Sequence, residues 1–363
     1  MHRAAQPIGT VMVSAIDPES FNHCNFIKEK AFRMGKKVLV IGATGAMGQY
    51  LVPYLAAMYD RIDAVALEQP ESAPPNVHYI KANANDPAVF RQLLAAGYDG
   101  IVDFMIYPTA ALQYFLLSLA NSTGHYIYLS SYRIYDNKEH PIRETSPRLL
   151  DTADDIVLRN SDDYSIYKAR GENMIRTLPK NRWTIIRPAI TYSKMRYQLV
   201  TLEAANTVGR AFAGKKTVVP ESARHVQATM SWAGDVARMI AGLLFNEKAL
   251  GEAFSVCTAE HHTWGEIADY YKDICGLESV WIDPEDYIRI LNSDPYSLGT
   301  RWQLAYDRLF DRVLDNSKVL NATGMKQSDL TSLYDGLAKE IARCPRDFKW
   351  PVNAAMDEYL AAR

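Results

Sequence analysis

Residues 38–51 read VLVIGATGAMGQYL. A short apolar run enters a turn carrying Gly42, Gly45 and Gly48, spaced Gly-x-x-Gly-x-x-Gly, and an amphipathic stretch continues to Tyr59 with helical character. A strand that enters a glycine turn and opens a helix is the setting in which this spacing has meaning. The first glycine permits a tight turn. The second lets backbone N–H groups approach a pyrophosphate at the positive end of the helix. Gly42, Thr44, Gly45, Ala46, Met47 and Gly48 are therefore the candidate cofactor-binding loop. A glycine turn without a ligand is the competing explanation, and the strand-to-helix context weighs against it.

Outward from this loop, short apolar runs alternate with longer amphipathic ones. IDAVALE (62–68), NVHYIKAN (76–83), YDGIVDFMIY (98–107), GHYIYLSS (124–131) and RWTIIRPAITY (182–192) read as strands. Residues 86–97, 109–122 and 163–178 read as helices, the first opened by an Asp86 cap with Pro87 in its first turn. Strands alternating with helices at this spacing indicate βαβ units and a parallel sheet covered on both faces. The expected fold is an α/β, Rossmann-type doubly wound parallel sheet.

After Ile190 the alternation loosens. SWAGDVARMIAGLLFN (231–246) reads as another helix of the main domain and EAFSVCT (252–258) as a late strand. The expected division is an N-terminal extension (1–34), a dinucleotide-binding domain (35–190 plus 225–258), a smaller interleaved C-terminal substrate lobe (191–224 plus 259–345) and a tail (346–363).

Glu68 ends the second strand, 20 residues after Gly48. A carboxylate there accepts hydrogen bonds from the adenosine ribose hydroxyls and repels a 2′-phosphate. The next basic residue is Lys81. This favours NAD over NADP, although an exposed Glu at a strand end is also a common surface feature.

Tyr164 and Lys168 are four apart in a helical stretch, so both project from one face. With 22 tyrosines in the chain, about one such pair is expected by chance. Their location, in the helix after a strand that ends Ser130-Ser131, gives the pair weight. A phenol titrates near pH 10, too high for a base at neutrality, and a nearby ammonium favours its phenolate. The phenolate can then take a proton from a substrate hydroxyl while hydride leaves the same carbon for the cofactor. Ser131 would hold the substrate oxygen against the phenol. The alternative makes Tyr164 a packed aromatic and Lys168 its solvated neighbour.

GATGAMG, IYLSSYRIYD, YSIYK and TIIRPAITY together resemble the extended short-chain dehydrogenase/reductases, the NAD-dependent epimerase/dehydratase group. The resemblance runs from about Lys36 to about Leu337 and includes SWAGDVARMIAGLL and LDNSKVLNATG. Aligned on Tyr135, it puts Ser131 rather than Ser130 at the catalytic position, beside Tyr164 and Lys168. The latter two also contact the cofactor. It implies tightly bound NAD(P), a nucleotide-sugar substrate and a homodimer.

The chain departs from the family pattern in places. Ala82-Asn83 stands where many members carry Gly-Asp; the resemblance implies that Asn83 accepts from the adenine amino group. The fourth strand ends in bulky Met105-Ile106-Tyr107 instead of small residues, so Met105 would line the nicotinamide ribose, as in a divergent branch that includes chloroplast stem-loop RNA-binding proteins. Sugar 4,6-dehydratases carry Asp-Glu directly after the catalytic Ser or Thr; Tyr132-Arg133 stands here, which disfavours dehydration. Oxidation with hydride return (an epimerase) or hydride loss (a dehydrogenase or reductase) is left open, and a non-catalytic RNA- or nucleotide-binding relative is the rival class.

The substrate-binding candidates are Ser131, Tyr132, Arg187, Tyr192 and Arg224, with Lys194 and Arg196 near the smaller lobe. Arginines there could grip a diphosphate through bidentate hydrogen bonds or be solvated surface. His261-His262 reads as the approach to a helix rather than a metal site, because no acidic or thiol ligand set accompanies it.

Composition agrees with an enzyme of this kind. The chain of 363 residues is 48% hydrophobic with formal net charge -2, which argues against a general nucleic-acid binder. Cys24, Cys257, Cys275 and Cys344 form no CxxC pair and read as reduced thiols. With no signal peptide pattern and no apolar run approaching the ~18 residues of a membrane span, a cytoplasmic location is expected.

Overall fold

The computed structural model describes residues 35–292 and 297–363. The N-terminal extension, residues 1–34 with Cys24, lies outside them. Strand β1 (Lys37–Ile41) turns alternate side chains to two apolar layers. Val38 and Val40 join one cluster, Leu39 and Ile41 the other, as the two-residue period of a strand requires. Helices α1 (Gly48–Met58) and, later, Ala233–Leu243 cover the first layer, and α2 (Pro87–Ala95), α3 (Thr109–Asn121) and α4 (Tyr164–Arg176) the second.

The remaining strands are β2 (Arg61–Ala66), β3 (Val77–Lys81), β4 (Tyr98–Asp103), β5 (Thr123–Leu129), β6 (Trp183–Ile186) and β7 (Glu252–Phe254). All seven pair in parallel in the order β7-β6-β5-β4-β1-β2-β3. The order reverses between β1 and β4, and the crevice at their carboxyl ends is where ligands bind in such sheets. The expected doubly wound fold is present.

Local sequence explains several boundaries. Asp86 accepts from the Ala88 and Val89 amides with Pro87 at the first helical position, so α2 starts where expected. Thr263 and Glu266 form a capping box that opens the helix Trp264–Cys275 directly after His261-His262.

The stretch 182–192, expected as one strand, is two. Trp183–Ile186 stays in the main sheet while Ile190–Tyr192 pairs with Met230–Trp232. Pro188, between them, has no N–H to give to a ladder, and the chain changes sheet there. Three two-stranded ribbons formed by residues 190–282 pack with helices Pro284–Leu291 and Leu333–Ala342 around a second apolar core, which contains Tyr192, Tyr197, Trp264, Tyr271 and Tyr287. No helix among the described residues is long and apolar enough to cross a membrane.

Candidate active site

The loop after β1 is held by two amides, Gly42 and Ala43, that both donate to the Val65 carbonyl at 2.9 and 3.0 Å. Gly42 has φ +82°, a conformation costly for other residues. A Cβ at Gly48 would lie 2.5 Å from the Gly42 carbonyl oxygen, so the helix can start this close to the strand only with glycine there. The Ala46 and Met47 amides have no partner among the described residues. Donors left free at a helix N-terminus suit a pyrophosphate.

This loop forms one wall of a cleft of about 920 Å³. Gly42, Thr44, Gly45, Ala46, Met47 and Gly48 line it, with Glu68 just beyond β2, Asn83 beyond β3 and Met105 beyond β4. Asn83 Oδ1 accepts the Asn85 amide at 3.0 Å and keeps a second lone pair. Ser131, Tyr132 and Tyr164 line the cleft further along. The residues that line this part of the cleft fit a dinucleotide.

The turn after β4 is set by Asp103. Its buried carboxylate accepts from Tyr126 Oη (2.7 Å), Tyr107 Oη (3.0 Å) and the Met105 amide (3.0 Å). Burial raises its pKa despite these bonds and the nearby Lys168 ammonium. Tyr107 is thereby turned into the core, stacked on Phe115, and of Met105-Ile106-Tyr107 the first two line the cleft beside Phe104. The bulky run contributes two wall residues rather than three.

Ser131 lies just past β5, and its hydroxyl accepts the Arg133 amide at 3.2 Å, capping a single turn over Tyr132–Ile134. Tyr164 is the first residue of α4, whose Asp163 cap accepts the Ser165 amide at 2.9 Å. Burial raises the Tyr164 pKa; Arg133, Arg196 and the Ser131 hydroxyl act against it, and Asp307 acts with it.

Lys168 lies one turn further along α4, fully buried. Its Nζ donates to the Leu129 carbonyl at 2.7 Å and sits 5.6 Å from the Tyr164 ring centre. Burial pulls its pKa down to about 8, against the Asp103 and Glu172 carboxylates. The Lys168 ammonium and the Arg133 guanidinium both stand near the phenol, at 5.6 and 5.2 Å from its ring centre.

Three substrate candidates stand away from the cleft. Arg187 is buried and forks onto Glu172 at 2.8 and 2.6 Å, also donating to Tyr135 Oη at 2.7 Å. Tyr192 is fully buried, and any Cβ on Gly336 would meet its hydroxyl. Arg224 pairs with Glu221 at 2.7 Å, with its guanidinium 4.3 Å over the Trp281 ring. In place of these three, Arg133, Arg196, Gln198, Glu203, Gln303 and Arg308 line the far end of the cleft.

Arg196, Gln198 and Glu203 lie on a tight loop in which Met195 and Val200 both have positive φ, 66° and 53°. Such backbone persists only where its surroundings hold it. Arg308 Nε donates to the Val200 carbonyl at 2.7 Å, and its Nη1 to Tyr132 Oη at 2.6 Å. Arg308 ends a π-helical turn, Leu304–Arg308. Buried Asp307 is flanked by Arg308, Arg312 and Arg133, which together hold its pKa below the usual carboxylate range although burial opposes them. The quoted YR dipeptide was the one sequence signal for Arg133. Nothing local marked Gln303 or Arg308.

A doubly wound sheet with free loop amides and a serine–tyrosine pair on one cleft defines a nucleotide-binding α/β protein. The chain matches the model of the NAD dependent epimerase/dehydratase family over residues 38–257 and belongs to that family. Similar solved structures include an epimerase of Methanothermobacter thermautotrophicus (14% identity, TM-score 0.67, covering 88% of this chain and 95% of that one). UDP-glucuronic acid 4-epimerase of Bacillus cereus, with UDP-glucuronic acid and NAD, is 14% identical with TM-score 0.62 over 85% and 99% of the two chains. UDP-glucose 4-epimerase of Thermus thermophilus, with NAD, is 17% identical with TM-score 0.60 over 84% and 98%. No curated protein matches the chain.

Proposed function

We propose that the protein binds NAD along the Gly42-to-Gly48 loop and epimerises a nucleotide-linked sugar by oxidising one hydroxyl and returning the hydride to the opposite face. The observation that carries this reading is the single cleft in which the glycine loop, Glu68 and Asn83 run on to Ser131 and Tyr164. Its breadth, and the polar far end with Arg196, suit a substrate that carries phosphate.

NAD supplies the hydride acceptor when bound. The chain's own residues bind, orient and move the proton. Free amides of the loop receive the pyrophosphate, and Glu68 accepts from the ribose hydroxyls. Ser131 Oγ donates to the substrate oxygen and holds it at Tyr164, whose phenolate Oη takes the hydroxyl proton and later returns it. Lys168, one turn along α4 with its Nζ on the Leu129 carbonyl, would favour the phenolate and contact the cofactor. Tyr132-Arg133 offers no acid for dehydration at the neighbouring carbons.

The test is a panel of nucleotide sugars in D2O, read by NMR. An inverted centre that keeps its carbon-bound hydrogen is expected, because the hydride never leaves the site. Tyr164→Phe should abolish turnover and leave NAD binding within about twofold. Turnover that survives the substitution would refute the assignment.

A further inference from the structure

Three guanidiniums gather on the Asp307 carboxylate, and two of them are fully employed. Arg308 also donates to the Val200 carbonyl and Tyr132 Oη, and Arg312 to the Tyr135 and Tyr306 carbonyls at 3.0 and 3.1 Å. Arg133 is different. Its side chain is 15% exposed, and its buried Nε has no hydrogen-bond partner among the described residues. Asp307 lies 3.3 Å from that Nε and Asp163 3.8 Å from an Nη, contacts of charge that fall short of hydrogen bonds. Glu68 and Glu203, the carboxylates on the cleft wall, form no ion pair with it among the described residues. A buried donor left unmet is costly, and a guanidinium carries five donors in a rigid planar fork.

The unmet fork stands where the substrate reacts. Arg133 follows Ser131 by two residues, and its amide donates to the Ser131 hydroxyl at 3.2 Å. Its guanidinium carbon is 5.2 Å from the Tyr164 ring centre. A sugar oxygen held between Ser131 and Tyr164 brings the substituent of the neighbouring carbon to this guanidinium. A planar carboxylate meets the fork through two parallel hydrogen bonds, which a hydroxymethyl group cannot do. Arg196, exposed on the cleft, is a separate cation for phosphate.

We propose that Arg133 is a specificity-determining residue and that the substrate is an acidic sugar, with a carboxylate on the carbon next to the one oxidised. The inference rests on the reading of Ser131 and Tyr164 as the reacting pair, and it narrows the nucleotide-linked sugar to a uronic acid.

Equilibrium dialysis of the NAD-loaded protein tests this with two pairs of probes: UDP-galacturonic acid against UDP-galactose, and free galacturonate against galactose. Each pair differs by a carboxylate in place of a hydroxymethyl group. The acidic member should bind about tenfold more tightly or better, as charge-assisted hydrogen bonds allow. Arg133→Met should bring the ratio to within about twofold of unity, and Arg133→Lys, with charge but no fork, should leave it between the two. Asp307 keeps Arg308 and Arg312 in either variant, and unchanged NAD affinity reports an intact fold. If Arg133→Met loses NAD, Arg133→Lys decides, and a wild-type ratio there overturns the inference. Equal affinity for the two UDP-sugars overturns it too while leaving the nucleotide reading in place. Binding of free galacturonate but of neither UDP-sugar, lost in Arg133→Met, would support the inference and refute the nucleotide reading. A carboxylate preference that persists in Arg133→Met, or none in either pair, removes Arg133 from substrate recognition.

Discussion

Arg187 is the residue on which a substrate role and a structural role make opposite predictions. Its guanidinium and the Glu172 carboxylate are 2% and 0% exposed and meet through two hydrogen bonds of 2.8 and 2.6 Å. Arg148, at 3.6 Å, is the next cation to that carboxylate. Burial alone would raise the Glu172 pKa, but Arg187 first, then Ser130 and Arg148, hold it low. Glu172→Gln removes the charge opposite a buried arginine and should cost about 3–5 kcal/mol, the usual loss when one member of a buried pair is taken away. Arg187→Met should cost a similar amount, lessened by Arg148. The double variant leaves no buried charge unmatched and should recover about 1 kcal/mol or more of the summed losses. Urea unfolding of the four proteins measures this. Single losses below about 1 kcal/mol, or strictly additive losses, would refute the structural reading of Arg187.

Glu68→Ala should narrow any preference for NAD over NADP by about tenfold, read as the ratio of dissociation constants, because the carboxylate on the cleft wall no longer repels a 2′-phosphate. His125 is buried. Its Nδ1 accepts the Phe245 amide at 2.8 Å, which leaves Nε2 to donate to Thr184 Oγ1 at 2.8 Å. Burial lowers its pKa to about 4 from 6.5. A depressed folded-state pKa means stability that is present above pH 6.5 and lost as pH falls towards 4. Between pH 7 and pH 4.5 the loss from this group is about 2 kcal/mol. His125→Asn should flatten the unfolding free energy by that amount over the same window, and an identical slope in both proteins would exclude the assignment.

The features legible along the chain were local ones. Gly48 needs glycine because the Gly42 and Ala43 carbonyls lie against it, the Asp86-Pro87 start of α2 is closed by its own first turn, and the Tyr164–Lys168 spacing follows from helix geometry. Alternating apolar runs were enough for the sheet, because each buried parallel strand must be apolar along its length. The break at Pro188 was present in the sequence but unread, since a proline says where a ladder stops and not which sheet the chain joins next.

The tertiary structure decided which charged side chains face the cleft. Arg187 and Arg133 look equally available in sequence. One meets Glu172, 15 residues earlier on α4, inside the core, and the other lies 5.2 Å from the Tyr164 ring centre with its Nε 3.3 Å from Asp307, far along the chain. Arg196 and Arg308 come to the same end of the cleft from segments more than 100 residues apart. A guanidinium's partner is set by which segments pack together, and residue spacing carries no record of that.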